Sequence, residues 1–570
     1  MPTVTVNAVM AQLWSECPVA AGTTRTSKKK SLESAQLQGA VTAAFWHYIE
    51  EQAVRWATGQ LEDVVHQLVV VVRRGDYFLF SSTDDGVRTF LSDSFGLPGT
   101  AIGSLAAIPP DILNAAFVSG SARTLWLSGA HRRTAVKADT KVLSGVDLRD
   151  ALDPLEDQSY YFTAARSTPT IDGAPVRVGV SPFKSLLWFG FSHDWNEYIN
   201  TARDVLVHVA ATTTGNAAPL PVVAVASTSL SGVASAYDMT LAPPELDDPT
   251  GLDPQRRAML EKWAFDANFD VTPSAGPNVA ASVRLGPALI GTIDVSIASG
   301  RHLGDVTVDV QASASAANRQ TDIDELLVLL GNRHNLKIWY ESGHTIADGT
   351  VHQVRYRDMP FRAYEWRSFD GFDIAREKPS ALILTGQQDS LFCWVKLRWA
   401  VAGGQSSGWL ACDDGANEVA DFVHLNTTAV PPLLSLIHVK AAQNSAANRQ
   451  LAVSPFEVVA SQAVKNLRFL DRENLVATLA QRVSPQLGQL VWLDGQPSPR
   501  AAMVTALGQV GANCDLQIVI VQPQLLQTAV TAARNGQAGA SRLRQLEALL
   551  ASAESACRSL GARLTVIGEA

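Results

Sequence analysis

Two apolar runs, residues 419–425 and 433–440, are joined by seven residues, with Asp421 in the first and His438 and Lys440 closing the second. That spacing predicts a β-hairpin-like pair. The apolar positions between the polar ones predict strands buried on both faces, as at the centre of a sheet. Side chains alternate along a strand, so His438 and Lys440, two apart, project from the same face. The pairing then brings one carboxylate, one imidazole and one ammonium to the same edge of a buried sheet. Glu418 adds a second carboxylate three residues before Asp421. Burying such charges together is costly unless they have a task, which marks the stretch as a functional candidate.

The chain around this pair has 570 residues, enough for about three or four domains. Hydrophobic residues are 46% and charged residues 18%, a globular balance. The pattern predicts a multidomain α+β protein. Its parts are an N-terminal mixed α/β domain (1–212), a β-rich α+β domain (222–390) and a C-terminal α/β domain (391–570). The boundaries fall at the small polar stretch 212–219 and near 390, with a further acidic, proline-rich stretch at 243–249. Apolar positions at helical spacing predict a helix over 32–56. A hairpin is expected across Arg73-Arg74-Gly75-Asp76, and a helix over 254–265. Towards the C-terminus, strands are expected at 393–399, 419–425, 433–440, 517–521 and 564–567, with helices at 455–470 and 540–560. Ser-Ala-Ala-Asn-Arg-Gln occurs twice, at 315–320 and 445–450, with no longer repeat around either copy.

Several function classes lack their signatures. No GxxxxGK[ST], HExxH or GxGxxG occurs, so neither an NTP motor nor a dinucleotide site is expected. The five cysteines are widely spaced without a CxxC, which argues against a disulfide framework or a thiolate zinc site. No run approaches the ~18 apolar residues of a spanning helix, and the expectation is a soluble, cytoplasmic protein without a membrane partner. The net charge of −9 excludes a wholly basic nucleic-acid-coating protein. Residues 401–570 carry 12 Lys/Arg and 12 Asp/Glu, so the acidity lies in the first 400 residues and suits a protein-contacting region. Arg25 with Lys28-Lys29-Lys30 reads as a solvated loop, and His131-Arg132-Arg133 with Lys137 and Lys141 as a candidate phosphate contact.

Ser454-Pro455-Phe456-Glu457 has the form of a capping box opening a helix. Phe456, Val459, Ala463 and Leu467 would form its apolar stripe, leaving Gln462, Lys465 and Asn466 on another face. Glu418-x-x-Asp421, then His438-x-Lys440, then Gln462 in a Ser-Gln-Ala-Val-Lys helix, resembles the PD-(D/E)xK nuclease superfamily, the restriction-endonuclease-like fold. More narrowly it resembles the nuclease parts of bacterial anti-phage defence proteins, which often carry a DDGxxEVAD…HxK…Q run and work beside a helicase or other NTPase. The resemblance covers residues 394–570. It implies a central mixed sheet flanked by helices and Mg²⁺- or Mn²⁺-dependent cleavage of DNA or RNA. Asp421 and Glu418 would be metal ligands. Asp421, Lys440, His438 and Gln462 would be the catalytic set, and Lys465, Arg449 and Arg468 would meet nucleic acid. His438 stands where the general pattern has Asp or Glu. The expected partners are DNA first among nucleic acids, and a controlling helicase, NTPase or sensor. The rival expectation is a non-catalytic nucleic-acid-binding or scaffold subunit.

Overall fold

The computed structural model describes residues 4–570 apart from 20–22, 27–34, 38–40, 54–60, 98, 120–121, 133, 135, 147, 149–150, 191, 217, 228, 243–253, 301–304, 355, 359, 380–388, 403–404 and 483–489. The expected acidic boundary at 243–249 and Lys28-Lys29-Lys30 lie outside the described residues. The chain divides into two compact units, Met1–Leu152 with Glu156–Arg355, and Asp153–Leu155 with Tyr356–Ala570. The division therefore falls near 355 instead of 390, and no division falls at 212–222. Among the described residues no helix is long and apolar enough to cross a membrane.

Within the first unit, Val41–Ala53 is a strand and not the expected helix. It pairs antiparallel along its whole length with Glu62–Arg74, which turns through Gly75-Asp76 into Tyr77–Ser82. Gly75 supplies the positive φ of that turn. The reason for the misreading is burial on both faces. Ala44, Trp46 and Tyr48 pack with the helix Val6–Glu16, whereas Val41 and Ala43 pack with the helix Trp195–Ala211. With both faces apolar the two-residue period disappears, and chance i, i+4 matches read as a helix.

Four further sheets are present among the described residues of this unit: two of five strands, an antiparallel meander of four, and the two-stranded pair of Thr170–Ile171 with Ala174–Pro175. The meander runs Ala267–Thr272, Val279–Leu285, Ala288–Ser299 and Val306–Ser315. Its inner face shares one core with Trp263 of the helix Pro254–Asp266 and Ile323 and Leu326 of Gln320–Leu330. The expected N-terminal and middle domains are one unit because they share direct bonds. Ala224 N–H donates to the Tyr160 carbonyl at 2.7 Å, Thr345 Oγ1 donates to the Ala130 carbonyl at 2.6 Å, and His352 stacks on Tyr161 at 4.1 Å.

The second unit is built on one eight-stranded mixed sheet. In chain order its strands and the helices that frame the site are β1 (Tyr364–Arg367), α1 (Leu391–Trp394), β2 (Trp409–Cys412), β3 (Phe422–Asn426), β4 (Leu433–Val439), α2 (Ser454–Asn466), β5 (Val491–Leu493), β6 (Gln496–Pro497), β7 (Asp515–Leu526), α3 (Ala540–Ser559) and β8 (Ala562–Glu569); the unit also has helices Arg472–Gln481, Arg500–Gln509 and Gln527–Arg534. The spatial order is β1-β8-β7-β4-β3-β2-β5-β6. β2, β3 and β4 form an antiparallel meander, α2 crosses over, and β7 returns parallel to β4. Leu434, Leu436, Ile518 and Ile520 pack under α2 and α3 on one face. Ile437, Val439, Val519 and Val521 pack with Phe392 and Trp394 on the other. The central strands are thus buried on both faces, as their composition requires.

Two local expectations fail in this unit. Residues 393–399 are the end of α1 and a π-helical turn, Val395–Trp399, and not a strand. Ser390 Oγ caps the Cys393 N–H at 3.4 Å, and residues 391–395 are all buried, so the Val-Lys-Leu-Arg-Trp alternation marks a turn of helix under the sheet. The expected capping box at Ser454 is also absent. α2 starts a residue early, with Val453 already in helical geometry, and Ser454 Oγ accepts from Gln443 Nε2 at 3.3 Å instead.

His352 gives the first unit a testable acid sensitivity. Its ring is fully buried against Tyr161, and burial pushes its pKa down to about 4. The unfolded chain takes up that proton near pH 6.5 and the folded chain does not until about pH 4. Stability is therefore lost as pH falls across that window, by about 3 kcal/mol for this residue. Urea unfolding at pH 7 and pH 4.5 should show a smaller loss for His352→Phe than for the unaltered chain. Equal losses would refute the assignment.

Candidate active site

The acidic turn between β2 and β3 is held from beneath. Asp413 has no exposed surface; its Oδ2 accepts the Val419 N–H at 2.9 Å, and its carboxylate pairs with the Arg482 guanidinium. Arg482 also donates to the Asp413 carbonyl at 3.0 Å and to the Asn417 carbonyl. Gly415 and Asn417 take positive φ, 135° and 60°, and carry the chain around the turn. Burial pushes the Asp413 pKa up to about 6, against the pull of the Val419 N–H and Arg482. Asp413 is thus the anchor of the turn.

The next carboxylates face one another. Asp414, Glu418 and Asp421 each place an oxygen within 4.8 Å of the others. Asp421 is 4% exposed, and its Oδ2 accepts the Val439 N–H of β4 at 2.7 Å, so the hairpin itself fixes this carboxylate. Burial pushes the Asp421 carboxyl well above the usual carboxylate range, and the charges of Glu418, Glu377 and Asp414 push it further. Glu418 Oε2 accepts the Gly415 N–H at 3.1 Å, and its Oε1 lies 3.5 Å from Gln462 Nε2 on α2. Sequence and structure therefore agree in bringing Asp421, Glu418 and Gln462 together.

Lys440 follows β4 and points into a neighbouring ion pair, Nζ to Glu377 Oε2 at 2.8 Å. The adjacent Lys378 reaches Asp414 Oδ1 at 2.7 Å, and that carboxylate pushes the ammonium's pKa up. Glu377-Lys378, which carries no motif, is thus the part of the site that sequence reasoning missed. Asp414 stands in the run Asp413-Asp414-Gly415, which matches the DDG of the family run but by itself assigns Asp414 no role. Proximity from 63 residues away leaves no local signal.

Other expected residues stand apart from this group. His438 is fully buried on the face of the sheet that carries α2, with neither ring nitrogen hydrogen-bonded. Burial pushes its pKa down to about 3, with the Lys465 charge adding to the effect. It is not among the groups that converge with Asp421. Arg449 is 4% exposed, pairs with Glu569 and donates to the carbonyls of Ala446 at 2.8 Å and Pro523 at 2.7 Å. Its charge is used inside the unit. Lys465 and Arg468 are exposed, Arg468 lying over the Phe469 ring at 4.7 Å.

In the first unit, the basic residues proposed to meet phosphate already have partners. Arg132 pairs with Asp238 at 2.7 Å and Lys141 with Glu156 at 2.7 Å; Lys137 donates to the Glu156 carbonyl at 2.8 Å. Arg133 lies outside the described residues. In the second unit, Gly404-Gln405-Ser406-Ser407-Gly408 has GxSxG spacing. Gln405–Ser406 is a two-residue strand paired with Val401–Ala402 and leads into β2, so it does not form the strand-to-helix elbow of a serine hydrolase.

The donor set fits a hard divalent cation. Three carboxylates offer oxygen ligands, and they repel one another unless a proton, an ammonium or a metal ion is shared among them. No family model, no curated protein and no solved structure matches this chain.

Two measurements probe the site without an activity assay. Mg²⁺ or Mn²⁺ at tenfold excess over its Kd should raise the melting temperature of the full chain by roughly 3 °C. Asp421→Asn should abolish that shift. Arg482→Ala should lower stability by about 3–5 kcal/mol, because it strands the buried Asp413 charge. Arg482→Ala with Asp413→Ala should recover part of the loss; no recovery would sink the account of the anchor.

Proposed function

We propose that the second unit is a metal-dependent nuclease of the PD-(D/E)xK type, hydrolysing phosphodiester bonds of DNA or RNA. One observation carries the reading: Asp414, Glu418 and Asp421 converge within 4.8 Å at the start of β3, with Gln462 against Glu418. The mixed sheet with helices on both faces is in keeping with it. The role of effector in a prokaryotic antiviral defence system, controlled by an NTPase, helicase or sensor, rests on the resemblance of residues 413–462 alone.

In this reading Asp421, Glu418 and Asp414 would hold Mg²⁺ or Mn²⁺, which supplies Lewis-acid polarisation of the phosphate and a more acidic bound water. The chain's own groups do the rest. Lys440 can orient the attacking water and offset negative charge growing on the phosphoryl oxygens. Gln462 holds Glu418 from α2 and has a second amide proton for a phosphate oxygen or a water. Lys465 and Arg468, both exposed on or just after α2, can meet backbone phosphates.

The ion pairs also bear on control. Lys440 is engaged by Glu377 and Asp414 by Lys378, so the residues needed for chemistry are neutralised within the unit. That is consistent with a weakly active isolated protein that a partner switches on.

The test is cleavage of single- and double-stranded DNA and RNA with Mg²⁺ or Mn²⁺. Asp421→Ala and Lys440→Ala should each lower the rate at least about a hundredfold. Full activity in both variants would overturn the site. Rapid, unrestricted plasmid degradation by the purified chain would overturn the control reading.

A further inference from the structure

An open cleft of about 640 Å³ lies beyond the C-terminal ends of β4 and β7, within the second unit. Its wall carries Gln443, Asn444, Asn448, Gln450, Gln545 and Arg542, and among the described residues no carboxylate lines it. It is distinct from the acidic group but adjoins it along the chain. Gln443 follows Lys440 by three residues, and Ser454, at the start of α2, also lines the cleft. Ser454 precedes Gln462 by eight residues, about 12 Å along a helix.

The chemistry of the lining narrows its occupant. A primary amide presents both donors and an acceptor, whereas a phosphate accepts only. Nucleobase edges present donors and acceptors side by side, and Asn and Gln are the side chains that match such paired patterns. A site for phosphate alone would carry mostly Lys, Arg and backbone N–H groups. This cleft has six amides against two guanidiniums, Arg449 and Arg542, the second bonded to Gln450 Oε1 at 2.9 Å. Its volume lies in the range of small-ligand sites, about 300–1,000 Å³. Part of the wall is braced. Gln524 Oε1 accepts the Gln443 N–H at 3.0 Å, and Gln524 Nε2 donates to the Gln450 carbonyl at 2.9 Å. Arg449, almost wholly buried in that wall, keeps its Nε without a hydrogen-bond partner.

We infer that this cleft binds one unstacked nucleotide of a single-stranded segment and reads its base edge. The inference rests on the nuclease reading for its consequence: the base held there would bias where the neighbouring phosphodiester is cut. Binding itself does not depend on that reading.

Asn448 and Gln545 are exposed, so replacing them does not disturb the core. Asn448→Ala with Gln545→Ala in the full-length chain should weaken binding of a fluorescein-labelled single-stranded hexanucleotide about tenfold, the loss of roughly two hydrogen bonds to a base. An abasic hexamer should bind the unaltered chain about as weakly. The same affinity for intact and abasic strands, or no effect of the double substitution, overturns the inference. Cleavage of a randomised single strand provides the separate arm. A base preference beside the cut that flattens in the double variant supports the inference. An unchanged preference overturns it while leaving the nuclease reading standing. If the unaltered chain cleaves nothing, the binding comparison alone decides the cleft.

Discussion

The Asp413 carboxylate has no exposed surface and lies against the Arg482 guanidinium, and the acidic turn of the second unit hangs on that pair. A buried carboxylate must be paired, hydrogen-bonded or protonated. Asp413 is paired; Asp421 is hydrogen-bonded by the strand it lies beside. With these two fixed, Asp414 and Glu418 have little freedom but to face Asp421. The site is thus a by-product of where burial is tolerated. Its geometry is set by a guanidinium and a backbone N–H that themselves need touch no substrate.

The hairpin was legible because its pattern is local. Seven connecting residues and two apolar runs fix which residues meet, and Asp421 does reach β4. α2 was legible for the same reason, its stripe of Phe456, Val459 and Ala463 being buried as the spacing implies. Failures came where a side chain's environment is made elsewhere. Arg449 looks like any loop arginine until Glu569, 120 residues later, closes on it. Glu377 is an ordinary acidic residue until Lys440 is placed beside it. Val41–Ala53 lost its two-residue period because a helix covers each face. In each case the missing information was long-range packing.

The repeated hexapeptide makes the same point within one chain. At 315–320 it ends a strand and starts a helix, with Asn318 at φ 62° and Arg319 paired with Asp322 at 3.0 Å. At 445–450 it is a loop whose arginine is sealed inside the unit. Six identical residues fix neither conformation nor burial, since the stabilising partners come from outside them.

The strand order of the large sheet has a consequence for how the second unit comes into being. β8 lies between β1 and β7, so β1 at Tyr364–Arg367 has no neighbour in the sheet until residues 562–569 exist. On a translating ribosome moving at about 5–20 residues per second, that gap of nearly 200 residues is roughly 10–40 s. β2, β3 and β4 can pair as soon as they emerge, but β4 waits for β7 to cover its other edge. The carboxylates therefore gather before the platform beneath them is closed. During that interval the β4 edge is an exposed apolar strand, the kind of surface that chaperones bind and neighbouring nascent chains can capture.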